Sequence, residues 1–227
     1  MLIFYRQTVG LNGVIEMRIV KKAEDRKNEI LNAADELFGQ KGFDGTSTND
    51  ILEKVGIARG TLYHHFPSKE DIMDGLIARY QMRLIETAQA IASDKSVPVL
   101  ARIIQVVMSL NLEGESSEEV MEHIHQPQNA LMHQKIQQVI IAHLPPILTT
   151  LIEEGIEQQL FNTPVPYECM EMVVIYATTV FDGDMVLLNE QERLSRMIAF
   201  IENVERMLGA KSGSLMGTLQ MFGVEAD

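Results

Sequence analysis

The chain has 227 residues, 46% of them hydrophobic and 22% charged, and a net charge of −13. That length can bury a substantial core in one or two domains. A single cysteine, Cys169, excludes an intrachain disulfide framework and fits a reducing cytoplasm, and the absence of an 18-residue apolar run argues against a transmembrane helix.

Taken in chain order, residues 1–22 read as an N-terminal extension or loose arm: Leu2-Ile3-Phe4-Tyr5 is too short for the apolar core of a signal peptide, and Met17-Arg18-Ile19-Val20-Lys21-Lys22 is an alternative start. The first clear helix places Ile30, Ala33, Ala34, Leu37 and Phe38 on one face. Gly42-Phe43-Asp44-Gly45 turns the chain. Thr46 or Ser47 then caps a second helix, and Ser47 with Asp50 approximates a capping box. Ile51, Leu52 and Val55 form its buried face, and Gly56 ends it in a left-handed conformation. A third helix runs from about Ala58 to His65 and turns Leu62 and Phe66 inward. Arg59, Thr61, Tyr63 and His64 then face outward, and these side chains suit guanine edges, thymine methyls and phosphate oxygens. Pro67 stops the helix, and Ser68 caps a fourth, where Lys69 is placed to meet a phosphate beside free backbone N–H groups. Together these elements read as a helix-turn-helix at about residues 47–66.

Residues 26–80 resemble the DNA-binding domain of the TetR family of transcriptional regulators. The matching features are Gly42-Phe43, Thr46-Ser47, Gly56-Ile57, Gly60-Thr61-Leu62-Tyr63-His64-His65-Phe66 and Ser68-Lys69-Glu70, in order and at the family's spacing. The resemblance implies that Thr46 and Thr48 touch phosphates and that Arg59, Gly60 and Thr61 approach base edges. It further implies that Tyr63, His64, His65 and Lys69 hold the DNA backbone. One departure is Ala58, which cannot supply the side-chain cap that often opens the family's third helix.

The charge divides in a way that fits this picture. Residues 1–84 hold 12 basic and 12 acidic side chains, and residues 85–227 hold 7 and 20, so the whole excess of −13 lies in the second part. That part should avoid DNA, and the neutral first part can approach it.

Beyond the fourth helix, at about 68–92, apolar runs follow at Val97–Leu112, at 120–125 and at 128–143. Pro145-Pro146 is expected to break or kink the next run before Ile147–Leu160 continues it. Asn162-Thr163-Pro164-Val165-Pro166 forms a turn, and Tyr167–Leu188 with Glu190–Leu208 makes a final helical hairpin. Cys169 in that hairpin reads as a packed core thiol. No strand alternation is evident.

The expected fold is therefore all-α: a helix-turn-helix domain over 23–80, a helical effector-binding and dimerisation domain over 81–208, and a flexible tail over 209–227. By analogy with the family, the last two helices pair with a second copy through Met172, Val173, Tyr176, Val180, Met197, Ile201, Val204 and Leu208. A two-fold dimer would present two recognition helices to a pseudo-palindromic site.

Methionine is frequent, with 14 residues, and this soft side chain suits an adaptable apolar pocket or simple core filling. Met108, Met121, Met132, His125 and Tyr176 are the candidate effector contacts. His123, His125, His133 and His143 cluster in sequence, but no nearby cysteine completes a metal set, so no metal or cofactor is expected. No phosphate loop, H-E-x-x-H or G-x-S-x-G motif points to an enzyme. The expected function is a ligand-responsive regulator, most simply a repressor released from DNA by an apolar or amphipathic effector, in the cytoplasm and away from membranes. Two alternatives stay open: control by a protein partner, or a helical ligand binder that has lost DNA binding.

Overall fold

The computed structural model describes residues 11–109, 129–181, 186 and 188–216, with side chains from residue 23 onward. Among the described residues there are eight helices: α1 Leu11–Gly45, α2 Thr48–Val55, α3 Arg59–His65, α4 Lys69–Ser93, α5 Val99–Met108, α6 Ala130–Glu157, α7 Pro166–Val180 and α8 Glu190–Leu208. Among the described residues there is no strand, so the all-α expectation holds. The chain divides into two units, Met1–Leu76 and Ile77–Asp227.

In the first unit, α1 buries Ile30, Ala33, Ala34, Leu37 and Phe38, the face that the 3.6-residue period picks out. It begins at Leu11, so residues 11–22, expected as an arm, are helical. Ile15-Glu16-Met17-Arg18 and Lys21-Lys22-Ala23 contain no breaker after Gly13. Near its end Gly42 leaves helical geometry at φ 75°, ψ 164°, which redirects the chain toward α2. α1 packs on α2. Ser47 caps α2 in a reciprocal capping box: the Asp50 N–H donates to Ser47 Oγ at 3.2 Å, and the Ser47 N–H donates to Asp50 Oδ2 at 2.8 Å. Gly56 ends α2 at φ 71°, a conformation that costs a β-carbon-bearing residue about 1 kcal/mol or more.

In the second unit α6 packs on α5 and α7, and α7 on α8. Leu144, Leu148, Leu151, Ile152, Phe161, Met170, Val174 and Met197 lie in one buried cluster. Cys169 is buried there as well, its Sγ 3.5 Å from Thr163 Oγ1. Two expectations change. The apolar run at Val97–Leu112 forms the shorter α5, with Pro98 at its N-cap. Pro145-Pro146 does not break the following run, because α6 continues through both prolines. Each proline removes one helical N–H donor, but Leu144, Leu148, Leu151 and Ile152 are buried on either side and hold the helix in the core. The uninterrupted α6 has an 18-residue window of mean hydropathy 1.4 and is the one described helix long and apolar enough to cross a membrane. Its buried face reads instead as a core helix.

Two features fasten this unit. Arg102 on α5 is 1% exposed. It donates to the Val97 carbonyl at 2.9 Å and the Ala92 carbonyl at 2.7 Å, and pairs with Glu154 on α6, which also meets Lys95. Hydrogen bonds from Arg102 and then Lys95 hold the Glu154 carboxyl down at about 2. The second feature is the turn after α6. Leu160 N–H donates to the Gly155 carbonyl at 2.8 Å and Gln159 N–H to the Ile156 carbonyl at 3.0 Å, with Gln159 left-handed at φ 61°. This is a Schellman closure, and it lays the Phe161 ring directly on Gly155.

Beyond α8, residues 209–216 do not form the expected loose tail. Buried Glu205 accepts N–H bonds from Gly213 at 2.8 Å and Leu215 at 2.7 Å, and Leu215 is itself buried. A carboxylate taking two backbone donors explains why this turn docks. Residues 217–227 lie outside the described residues, as do the expected helix at 120–125 and Met121, His123, His125 and Met185.

Candidate nucleic-acid interface

The second and third helices carry the candidate interface. Leu62 and Phe66 are buried, which sets the rotation of α3 and leaves Arg59, Gly60, Tyr63 and His64 exposed, with Thr61 and His65 half-buried. α3 opens at Ala58 with no side-chain cap, as its methyl group requires. A β-carbon added to Gly60 would meet nothing within 4 Å, so this glycine is not required by packing inside the protein. The Arg59 guanidinium lies over the Tyr63 ring, with Cζ 5.5 Å from its centroid. The neighbouring Arg59 side chain first, and then the Thr48 hydroxyl, pull the pKa of the Tyr63 phenol below the usual 10. His64 and His65 stand edge to face at 5.4 Å. Burial, followed by the neighbouring His64, Arg26 and Lys27, pushes His65 below the usual 6.5.

Two expected phosphate contacts are placed differently. Thr46 is 1% exposed, and its hydroxyl donates to the carbonyls of Leu37 at 3.1 Å and Gly42 at 2.8 Å. It closes the α1–α2 turn, and its side chain is withheld from any phosphate. Lys69 donates from Nζ to the carbonyls of Phe43 at 2.7 Å and Thr46 at 3.0 Å, and sits 4.1 Å from the Phe43 ring centroid. It therefore ties the start of α4 to the turn before α2. These bonds lead to a first expected outcome. Lys69→Met should lower stability by about 1–2 kcal/mol, as charge-assisted bonds to buried carbonyls are lost. The slope of log affinity against log salt should stay unchanged, whereas loss of a phosphate contact would flatten it by about one. Urea unfolding and a salt titration of DNA binding together read both quantities.

Sequence reasoning did not anticipate the anchoring of α2 on α1. Lys41 donates to Asp50 Oδ1 at 2.7 Å, and Lys54 pairs with Glu36. Lys41 first, then Ser47, holds the Asp50 carboxyl far below the ordinary carboxylate range.

In the second unit the candidate effector residues within the described residues are Met108, Met132 and Tyr176. Met108 is 48% exposed and Tyr176 40% exposed, whereas Met132 is buried at 3%. His133 is buried, and His143 Nε2 lies 2.8 Å from Gln81 Nε2. No group of three or more metal-ligating side chains occurs among the described residues.

The candidate dimer residues divide into two sets. Met197, Ile201 and Leu208 are buried in their own unit's core, and Val173, Val180 and Val204 are half-buried. Met197, Ile201 and Leu208 thus serve their own unit's core, and Val173, Val180 and Val204 lie at its edge. Met172 is 61% exposed, and beside it on α7 Ile175 and Tyr176 are also exposed. Ile175 was missed, although its i+3 spacing from Met172 marks the same face. Tyr176 stacks on Phe200 of α8 at 5.1 Å.

Residues 30–76 match the bacterial regulatory proteins of the tetR family, and residues 113–203 match the tetracyclin repressor-like C-terminal domain. The transcriptional repressor KstR2 of Mycobacterium tuberculosis H37Rv is 38% identical over 60 residues, covering 26% of this chain and 30% of KstR2. The regulator UidR of Escherichia coli K12 is 41% identical over 64 residues, covering 28% of this chain and 33% of UidR. The chain thus matches about a third of the length of these relatives. Among solved structures, SmeT, repressor of the Stenotrophomonas maltophilia multidrug efflux pump SmeDEF, aligns with a TM-score of 0.63 at 16% identity, over 82% of this chain and 91% of SmeT. A tetR-family regulatory protein from Rhodococcus RHA1 aligns at 0.51 and 17% identity, over 82% and 98% of the two chains. With a helix-turn-helix built on the family's own spacing and a helical second unit that matches the family's C-terminal domain, the chain belongs to the TetR family.

Proposed function

We propose that this protein is a DNA-binding transcriptional regulator, a repressor that acts in the cytoplasm as a homodimer and is released from DNA by a small apolar or amphipathic effector. The observation that carries the reading is the exposed face of α3. It gathers Arg59, Tyr63 and His64 around the bare backbone of Gly60, with Thr61 half-buried beside them. Glycine inside a helix costs about 1 kcal/mol relative to alanine, and no neighbour in the protein requires its missing side chain. A close approach by an outside surface accounts for that cost. The repressors KstR2 and SmeT support the direction of regulation. For the dimer, the support is the exposed α7 face at Met172, Ile175 and Tyr176.

Gly60→Ala is the diagnostic substitution. It is expected to raise stability by about 0.5–1 kcal/mol through helix propensity and unfolded-state entropy. At the same time it should weaken binding to a duplex selected by the wild-type protein from random sequences at least tenfold. The selected sequence is expected to be two-fold symmetric, with half-sites about one helical turn apart or somewhat more. Failure of the wild-type protein to enrich any sequence would refute the regulator reading. Unchanged affinity of the alanine variant would refute the role of Gly60.

A further inference from the structure

The relation between Arg59 and Tyr63 assigns a second task to the tyrosine. The two residues are four apart on α3, and the guanidinium stands 5.5 Å from the ring centroid on an exposed surface. A long arginine side chain on an exposed helix has many rotamers to lose on binding. A guanine edge is read by the guanidinium through two parallel hydrogen bonds, which need the group in one plane and one place. The Tyr63 ring beside the guanidinium narrows the positions the group can take before any partner arrives.

We propose that Tyr63 is a specificity-determining positioning residue, keeping the Arg59 guanidinium over its ring so that the arginine meets a guanine edge with fewer rotamers to lose. The role rests on the DNA-binding reading above. It differs from a phosphate contact in a measurable way. A phosphate contact strengthens binding to all sequences alike, whereas a support for Arg59 strengthens only the base pair that Arg59 reads.

The test uses the full chain with Arg59→Ala, Tyr63→Phe, Tyr63→Leu and the Arg59→Ala/Tyr63→Leu double variant. Each is titrated against the duplex that the wild type selects and against single base-pair changes in it. Arg59→Ala is expected to reduce discrimination at one base pair per half-site by about 10- to 100-fold. Tyr63→Leu should reduce it at the same base pair by about three- to tenfold, the scale of freeing one ordered side chain. Tyr63→Phe, which keeps the ring under the guanidinium, should retain most of it. In the Arg59→Ala background, Tyr63→Leu should leave discrimination unchanged. An equal loss of affinity on every sequence, or the same loss in both backgrounds, overturns the proposal and leaves Tyr63 a phosphate contact. A DNA-free measurement separates this failure from failure of the regulator reading. In a tyrosine-labelled NMR titration, Arg59→Ala should raise the Tyr63 phenol pKa, because the neighbour that lowers it is gone. No change there overturns the Arg59–Tyr63 contact itself. A wild-type protein that selects no sequence overturns the regulator reading and the specificity role together, even with the NMR shift present.

Discussion

Replacing Arg102 by alanine is expected to lower the unfolding free energy by about 3 kcal/mol at pH 7, because a buried ion pair that loses one partner leaves the other charge uncompensated. Arg102 is 1% exposed, and three groups depend on it: the Ala92 and Val97 carbonyls and the Glu154 carboxylate. Lys95 also meets Glu154 but is largely exposed, and an exposed pair compensates little. Urea unfolding of the two proteins reads the difference directly, and a loss below 1 kcal/mol would contradict the argument. Replacing both partners, Arg102→Met with Glu154→Gln, should recover part of the loss, since no unpaired charge is left behind. The pair also predicts a pH dependence. The Glu154 carboxyl is lowered from 4.5 to about 2 in the folded protein. A depressed folded pKa means that the unfolded state takes up the proton first as pH falls. The contribution is therefore fully present above about pH 5, declines as pH drops toward 2, and is gone below it. In Arg102→Ala this part of the acid slope should shrink to what Lys95 alone sustains. The Asp50 carboxyl, lowered by Lys41 and Ser47, contributes acid sensitivity of the same sign in the first unit, and Arg102→Ala should leave that contribution in place.

The second large effect is expected at Gly155. An added β-carbon would lie 2.3 Å from Phe161 Cδ2 and 2.5 Å from Cε2, well inside contact distance. The Phe161 ring is buried in the core cluster, and the backbone just before it is fixed by the closure on Gly155. Neither side can yield without disturbing packing on α6. Overpacking of a close-packed core costs about 1–3 kcal/mol, and the value for Gly155→Ala should fall at the upper end. Thermal unfolding would show it as a clear fall in Tm. Combining Gly155→Ala with Phe161→Leu makes room for the methyl group, so the double variant should be more stable than Gly155→Ala alone. If Phe161→Leu instead adds its full cost to that of Gly155→Ala, the clash is not the cause.

Much of the helix-turn-helix could be read from residues alone. The α1 stripe from Ile30 to Phe38, the Ser47–Asp50 capping box, the left-handed Gly56, the uncapped Ala58 and the outward set Arg59, Tyr63 and His64 all follow from residues within a few positions of one another. Each is a local rule of periodicity, capping or backbone sterics, and such rules need no knowledge of the distant chain.

Other features depended on which surfaces meet. Thr46 carries the residue type of a phosphate contact but turns to the Leu37 and Gly42 carbonyls, and Lys69 reaches carbonyls 23 and 26 residues earlier in the chain. Pro145-Pro146 obeys the local rule for a helix break, yet α6 continues because the leucines on both sides are buried. On α7 and α8, helical spacing marks apolar positions without saying what covers them. Only the tertiary structure assigns Met197, Ile201 and Leu208 to the core and leaves Met172, Ile175 and Tyr176 exposed. By itself the sequence determined the all-α class, the helix-turn-helix and the rotation of its recognition helix, because these follow from short-range sterics and periodicity. The tertiary structure alone decided which polar side chains are spent on internal carbonyls and which apolar faces stay open, because hydrogen-bond partners and burial are set by parts of the chain far apart in sequence.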